Sequence, residues 1–175
     1  MADKQALRAL QTRLAERLRT AQAQPRTPSW LAVECRGHGL LFPLEQAGEI
    51  FAPPPLLPVP HTQPWFAGVA NLRGGLHAVV DLAAFLGVAR APLAEAAREQ
   101  SRLVALGARL GVNAALLVDR LAGLRGVEQL EPDAGAAGTQ PRFAGARYRD
   151  ADGRLWQEIV LAALADDERF LAIAA

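Results

Sequence analysis

The stretch Gly68-Val69-Ala70-Asn71-Leu72-Arg73-Gly74-Gly75-Leu76-His77-Ala78-Val79-Val80-Asp81-Leu82 decides how this chain is read. Two apolar runs flank an Asn-Leu-Arg-Gly-Gly corner. Gly74 and Gly75 tolerate positive φ because they carry no Cβ, so the chain can reverse sharply there. His77 to Val80 reads as a half-buried strand, and Asp81 stands where it would cap a short helix running to Leu86. The corner presents Arg73 outward between two buried strands. A long cation on a rigid corner suits contact with a partner protein. It equally suits an ordinary hairpin with a solvated arginine, or an ion pair with an acid of its own domain.

The composition sets the frame around this corner. A chain of 175 residues that is 51% hydrophobic and 21% charged is one packed domain, or two small ones sharing a core. Nineteen Lys and Arg against eighteen Asp and Glu leave a net charge of +1, which favours neither nucleic acid nor an anionic membrane. The single Cys35 excludes an internal disulfide, fits a reducing cytosol, and sits in an apolar run as a small core residue rather than a reactive thiol. The N-terminus is polar from Asp3 onward and does not read as a signal peptide. No window approaches the roughly 18 apolar residues of a membrane span, so a soluble cytoplasmic protein is expected.

Residues 3–20 carry Leu7, Leu10, Leu14 and Leu18 on one stripe with arginines between them, an amphipathic helix that packs on its own domain or docks on a partner. Pro25 and Pro28 mark a linker. Trp30–Arg36 and Leu40–Leu44 make a hairpin around Gly37-His38-Gly39, and Glu45–Glu49 suits a helical turn before a strand at Glu49-Ile50-Phe51. Pro53–Pro60, with five prolines, must be extended. Gly87–Ser101 reads as a loop or short helix between halves. Arg102–Leu106 and Asn113–Asp119 form a second hairpin around Gly107–Gly111, and Leu121–Val127 adds a strand. Glu131–Gln140 is a turn-rich, mobile loop, and Phe143–Arg149 pairs with Leu155–Leu161 across Asp150–Gly153. Asp166–Ile173 closes the chain as a short helix. Many short strands with little helix between them indicate antiparallel barrels or a sandwich.

Catalytic patterns fail one by one. His38, His61 and His77 have no metal-ligand spacing with each other or with Cys35. Gly37-His38-Gly39 lacks the helix and lysine of a phosphate loop, and Ser29 and Ser101 make no nucleophile elbow. Asp81 and Asp119 could be imagined as a carboxylate pair, yet each closes an apolar strand, where Asp commonly caps a turn. The residues argue for a binding protein that needs no cofactor or metal.

The motifs together resemble the chemotaxis coupling (CheW-like) family. The first hairpin, Glu49-Ile50, the proline-rich extension, Gly68 to Gly74 and Val79-Val80-Asp81-Leu82 carry the likeness. Arg102-Leu103-Val104, Leu116 to Asp119 and Gly145 continue it, over roughly residues 30–173. The N-terminal helix and Trp156–Ala175 look most like the type IV pilus, twitching-motility (PilI-like) members. The resemblance implies an all-β fold with short helices: two intertwined five-stranded SH3-like barrels plus an N-terminal amphipathic helix. The corresponding division is helix 1–22, linker 23–29 and coupling domain 30–175.

It also implies no catalytic activity, and a cytoplasmic adaptor recruited to membrane-bound receptor arrays. Its partners would be the cytoplasmic tip of a methyl-accepting chemotaxis receptor, whose helix hairpin enters an apolar groove between the barrels, and the regulatory domain of a CheA-type histidine kinase. Neither nucleic acid nor membrane insertion is implied. Arg73, Asn71, Gly74 and Glu49 become candidate partner contacts, with Ile50, Val69 and Val79 lining or supporting the surface. Two departures stand out. The family's usual Asp after the last apolar strand is missing from Ile159-Val160-Leu161-Ala162-Ala163-Leu164, and Ala47-Gly48 replaces a Val and a polar residue. The alternatives are a small β-barrel nucleic-acid module, against which the near-zero charge counts, and a barrel enzyme using Asp81 or Asp119.

Overall fold

The computed structural model describes residues 28–88, 99–135 and 140–175. The expected N-terminal helix, most of the linker and most of Gly87–Ser101 lie outside the described residues. The chain is mostly β with a few short helices. The strands are β1 (Ser29–Cys35), β2 (His38–Pro43), β3 (Ala47–Phe51), β4 (Phe66–Leu72), β5 (Gly75–Asp81), β6 (Arg102–Leu106), β7 (Ala114–Val118), β8 (Arg120–Gly126), β9 (Glu131–Pro132), β10 (Ala144–Arg149) and β11 (Leu155–Ile159). The α-helices lying wholly within the described residues are α1 (Leu82–Phe85), α2 (Leu161–Ala165) and α3 (Glu168–Leu171).

Two sheets result, ordered β8-β1-β2-β11-β10-β9 and β3-β6-β7-β5-β4. Setting β9 aside, they follow one plan. A hairpin (β1–β2 or β6–β7) lies parallel to one strand of a second hairpin (β10–β11 or β4–β5), and an antiparallel strand (β8 or β3) closes the outer side of the first. The first sheet draws on both ends of the chain, whereas residues 47–118 build the second. The parallel contacts, β2 with β11 and β5 with β7, depart from the purely antiparallel expectation. They are possible because long segments, rather than tight turns, connect those strands.

The strict alternation of the hairpin strands explains how so many short strands cohere. Leu31, Val33 and Cys35 of β1, Leu40 and Phe42 of β2, Val104 and Leu106 of β6, and Leu116 and Val118 of β7 all enter one cluster shared by the two sheets. The opposite faces feed separate clusters: Ala70, Leu72, Val79, Leu103, Ala105 and Ala115 in the second sheet, and Trp30, Ala32, Leu41, Leu130 and Trp156 in the first. With side chains alternating at period two, both faces of these strands are buried. An aromatic group adds to the shared core, where Phe85 sits 5.2 Å from Trp65, 5.4 Å from Phe170 and 5.7 Å from Phe143 between ring centroids.

Several local expectations shift. One sheet has six strands rather than five, because Glu131–Pro132 pairs with Tyr148 and Arg149 inside the stretch read as a loop. Residues Leu44–Gln46 form the turn expected at Glu45–Glu49, and the strand begins at Ala47. The first hairpin turns at Arg36-Gly37, both with positive φ, and His38 already pairs with Cys35. The last strand stops at Ile159, and Leu161–Ala165 coil into α2. Leu and Ala are good helix formers, so an apolar run alone could not distinguish strand from helix there.

Candidate binding surface

The corner of the Asn71–Gly75 motif is a two-residue turn. Arg73 (φ 50°) and Gly74 (φ 84°) occupy its centre, while Leu72 and Gly75 pair across its base. Positive φ at both central positions matches the right-handed twist of the flanking strands. The positive angle expected at Gly75 therefore belongs to Arg73, and Gly75 is the first residue of β5. Asn71 Oδ1 accepts a hydrogen bond from the Gly74 amide at 2.8 Å, closing the turn with a side chain.

Arg73 extends from this turn to Glu49 on β3, with Nη1 donating to Oε1 at 2.6 Å. The bridge joins the two edges of the second sheet, and Phe51 of β3 packs beside Ala70 and Leu72 of β4 in the cluster beneath it. The two side chains remain 75% and 52% exposed. An ion pair so open to solvent adds at most about 1 kcal/mol to stability, which leaves both groups accessible to another molecule.

Apolar side chains lie on the outer face of the same sheet. Leu57 pairs with Val69 through reciprocal backbone hydrogen bonds of 2.9 Å, Val69 lies opposite Ala78, and Asn71 lies opposite Leu76. Ile50, across from Val104, is 41% exposed, while Leu57 and Leu76 are 65% and 63% exposed. Leu57 reaches β4 because Gly68 lets it, since a Cβ on Gly68 would sit 2.5 Å from the Leu57 carbonyl oxygen. Asn71, Arg73, Gly74, Glu49, Ile50 and Val69 thus belong to one end of one sheet. Val79 does not join them. It is wholly buried on the opposite face and supports the sheet from within. Leu57 and Leu76 escaped the sequence reading because one is hidden in a proline run and the other reads as strand interior.

Three other acids, Glu34, Asp119 and Asp81, are tied into the fold. Glu34, 8% exposed on β1, accepts from Arg120 Nε at 2.7 Å and Nη2 at 2.5 Å, and also from Arg154 Nη1. Burial pushes its carboxyl up, but the hydrogen bonds and charges of Arg154 and Arg120 outweigh burial and hold it below the ordinary glutamate value. Asp119 Oδ2 accepts from the Arg36 amide at 2.6 Å, and Asp81 Oδ1 accepts from the Ala84 amide at 3.1 Å as the N-cap of α1. Both aspartates imagined as a catalytic pair therefore have structural partners. Cys35 is buried, and burial lifts its thiol to about 12, far from reactive. No helix among the described residues is long and apolar enough to cross a membrane.

Two interlocked sheets with a shared core, and an exposed corner on one of them, define a class that comparison with known proteins identifies. The CheW-like domain family profile matches residues 29–169, and the chain belongs to that family. Protein PilI of Pseudomonas aeruginosa is 33% identical over 159 residues, covering 86% of this chain and 84% of its own. The scaffolding protein TtCheW of Thermoanaerobacter tengcongensis has a similar fold, with a TM-score of 0.63 at 18% identity over 76% of this chain and 88% of its own. None of these matches supports the nucleic-acid alternative.

Proposed function

We propose that the chain is a non-catalytic coupling adaptor of pilus-linked chemosensory signalling, bridging a methyl-accepting receptor tip to the regulatory domain of a CheA-type histidine kinase in the cytoplasm. Residues 30–175 are the coupling domain, each sheet curling into an SH3-like barrel, with residues 1–22 as an appended amphipathic helix and 23–29 as its linker. Family membership and the likeness to PilI support the pathway. The observation that carries the site is the exposed Arg73–Glu49 pair on an Asn71-braced corner, beside Ile50, Val69, Leu57 and Leu76. Charged groups at the rim of an apolar patch steer and orient a partner, while the apolar groups contribute the burial.

The test is a pull-down of a receptor cytoplasmic fragment and a kinase regulatory domain with wild type and Arg73→Glu. Loss of the contact should weaken at least one partner by about 1–3 kcal/mol, roughly five- to 150-fold, with the melting temperature little changed. Unchanged binding of both partners removes Arg73 from the interface.

A further inference from the structure

A second concave site lies on the other sheet, far along the chain from the Arg73 corner. It is a cleft of about 460 Å³ whose lining includes Trp30, Leu44, Glu45 and Glu158, with Pro28 and Ser29 at its rim. Leu44, 41% exposed, is the apolar face of the cleft, while Trp30, only 4% exposed, donates its indole N–H to Glu158 Oε1 at 2.7 Å and Glu158 Oε2 accepts from the Ala146 amide at 3.2 Å, which fixes a carboxylate beside Leu44. Among the lining residues the only charged groups are the two glutamates. Such a cleft suits an apolar side chain flanked by cations.

The chain carries that chemistry immediately upstream. Residues 1–27 contain six Lys and Arg against two Asp and Glu, so the remaining residues hold 13 Lys and Arg against 16 Asp and Glu. Arg13 and Arg17 flank one side of the Leu7, Leu10, Leu14 and Leu18 stripe, and Arg8 and Arg19 the other, when the segment is drawn at helical pitch. The nine residues between Leu18 and Pro28 span at most roughly 30 Å, and Pro28 is itself part of the cleft. A tether of this length gives an effective concentration on the order of millimolar, so even a weak affinity suffices.

We propose that the N-terminal segment docks in this cleft of its own chain, with Leu14 and Leu18 against Leu44 and its arginines facing Glu45 and Glu158. The inference rests on reading residues 3–20 as an amphipathic helix, but not on the identity of the coupling partners. The adaptor then has two surfaces on different sheets, one open at Arg73 and one occupied from within.

Disulfide trapping in the full chain tests it, because Cys35 is buried and stays silent. Leu14→Cys paired with Leu44→Cys, and Leu18→Cys paired with Leu44→Cys, should close an intramolecular disulfide about tenfold faster than Leu14→Cys paired with the exposed Leu76→Cys on the other sheet. Thr12→Cys, on the opposite side of the helical wheel, should lag in the same way, and Glu45→Arg should slow the reactive pairs. Equal rates at Leu44→Cys and Leu76→Cys overturn the docking. Equal rates from Thr12→Cys and Leu14→Cys overturn the helix on which it rests. Disulfide-linked dimers that increase with concentration overturn it in favour of a second copy.

Discussion

The β1–β2 and β4–β5 corners are the same turn placed in two settings. Arg36-Gly37 has φ values of 50° and 82°, and Arg73-Gly74 has 50° and 84°. At the first, Asp119 holds the Arg36 amide and the arginine is half-buried. At the second, only Asn71 braces the backbone and the arginine stands in solvent against Glu49. The ion pairs of the two sheets differ likewise: Glu34 lies under two arginines in one, while Glu49 is half exposed in the other. A left-handed arginine on its own therefore does not mark a binding site. The proposal for Arg73 rests instead on an ion pair with Glu49 that stays open to solvent.

The comparison can be broken most forcefully at Glu34. Glu34→Gln should cost about 2–3 kcal/mol in urea denaturation, less than the ~3–5 of a fully buried pair because both arginines reach solvent. Glu49→Gln, by contrast, should fall within about 0.5 kcal/mol of wild type. The pH dependence follows from the lowered Glu34 carboxyl. Its contribution is fully present above the unfolded value of about 4.3 and is lost as pH falls through the lower folded value, so the gap between wild type and Glu34→Gln should close in acid.

The next effect concerns the helices that follow the matching strands. Asp81 (φ −69°, ψ 99°) caps α1 with its own side chain, whereas Val160 (φ −74°, ψ 99°) stands at the same place before α2 and cannot. Gln46, from the turn between β2 and β3, fills the gap by accepting from the Ala162 amide at 3.0 Å. Asp81→Ala should cost about 1 kcal/mol. Val160→Asp should restore a local cap, add about 0.5–1 kcal/mol, and make Gln46→Ala nearly neutral in a double-mutant cycle. Last, Arg73→Gly should relieve the left-handed backbone and raise thermal stability slightly, by about 0.5–1 kcal/mol. Arg36→Gly should gain less, because its side chain is partly packed.

Nearly every strand was readable, because alternation at period two and the Gly and Asp punctuation are local signals. The Asp81 cap and the buried Cys35 were readable for the same reason. The missing Asp after the last strand was also visible, but not its remedy, since Gln46 and Ala162 lie 116 residues apart. The parallel contacts, the Glu34 clamp and the Arg73–Glu49 bridge likewise depend on which distant strands meet, and no spacing reports that. Within the candidate site, the sequence marked the corner and its charge. The apolar flank at Leu57 and Leu76 emerged only from register.

The discontinuity of the first sheet has a consequence for biosynthesis. The second sheet spans residues 47–118 and has all its strands once β7 has emerged from the ribosome. The β1–β2 hairpin emerges earliest, yet its parallel partner β11 and the side chains of Ile159, Leu161 and Phe170 that complete the shared core arrive last. During synthesis the nascent chain must carry an open apolar hairpin face across more than a hundred residues, the long sequence separation that slows folding and invites aggregation. Emergence of β11 and the helices after it, rather than formation of the first hairpin, is then the step that closes the shared core.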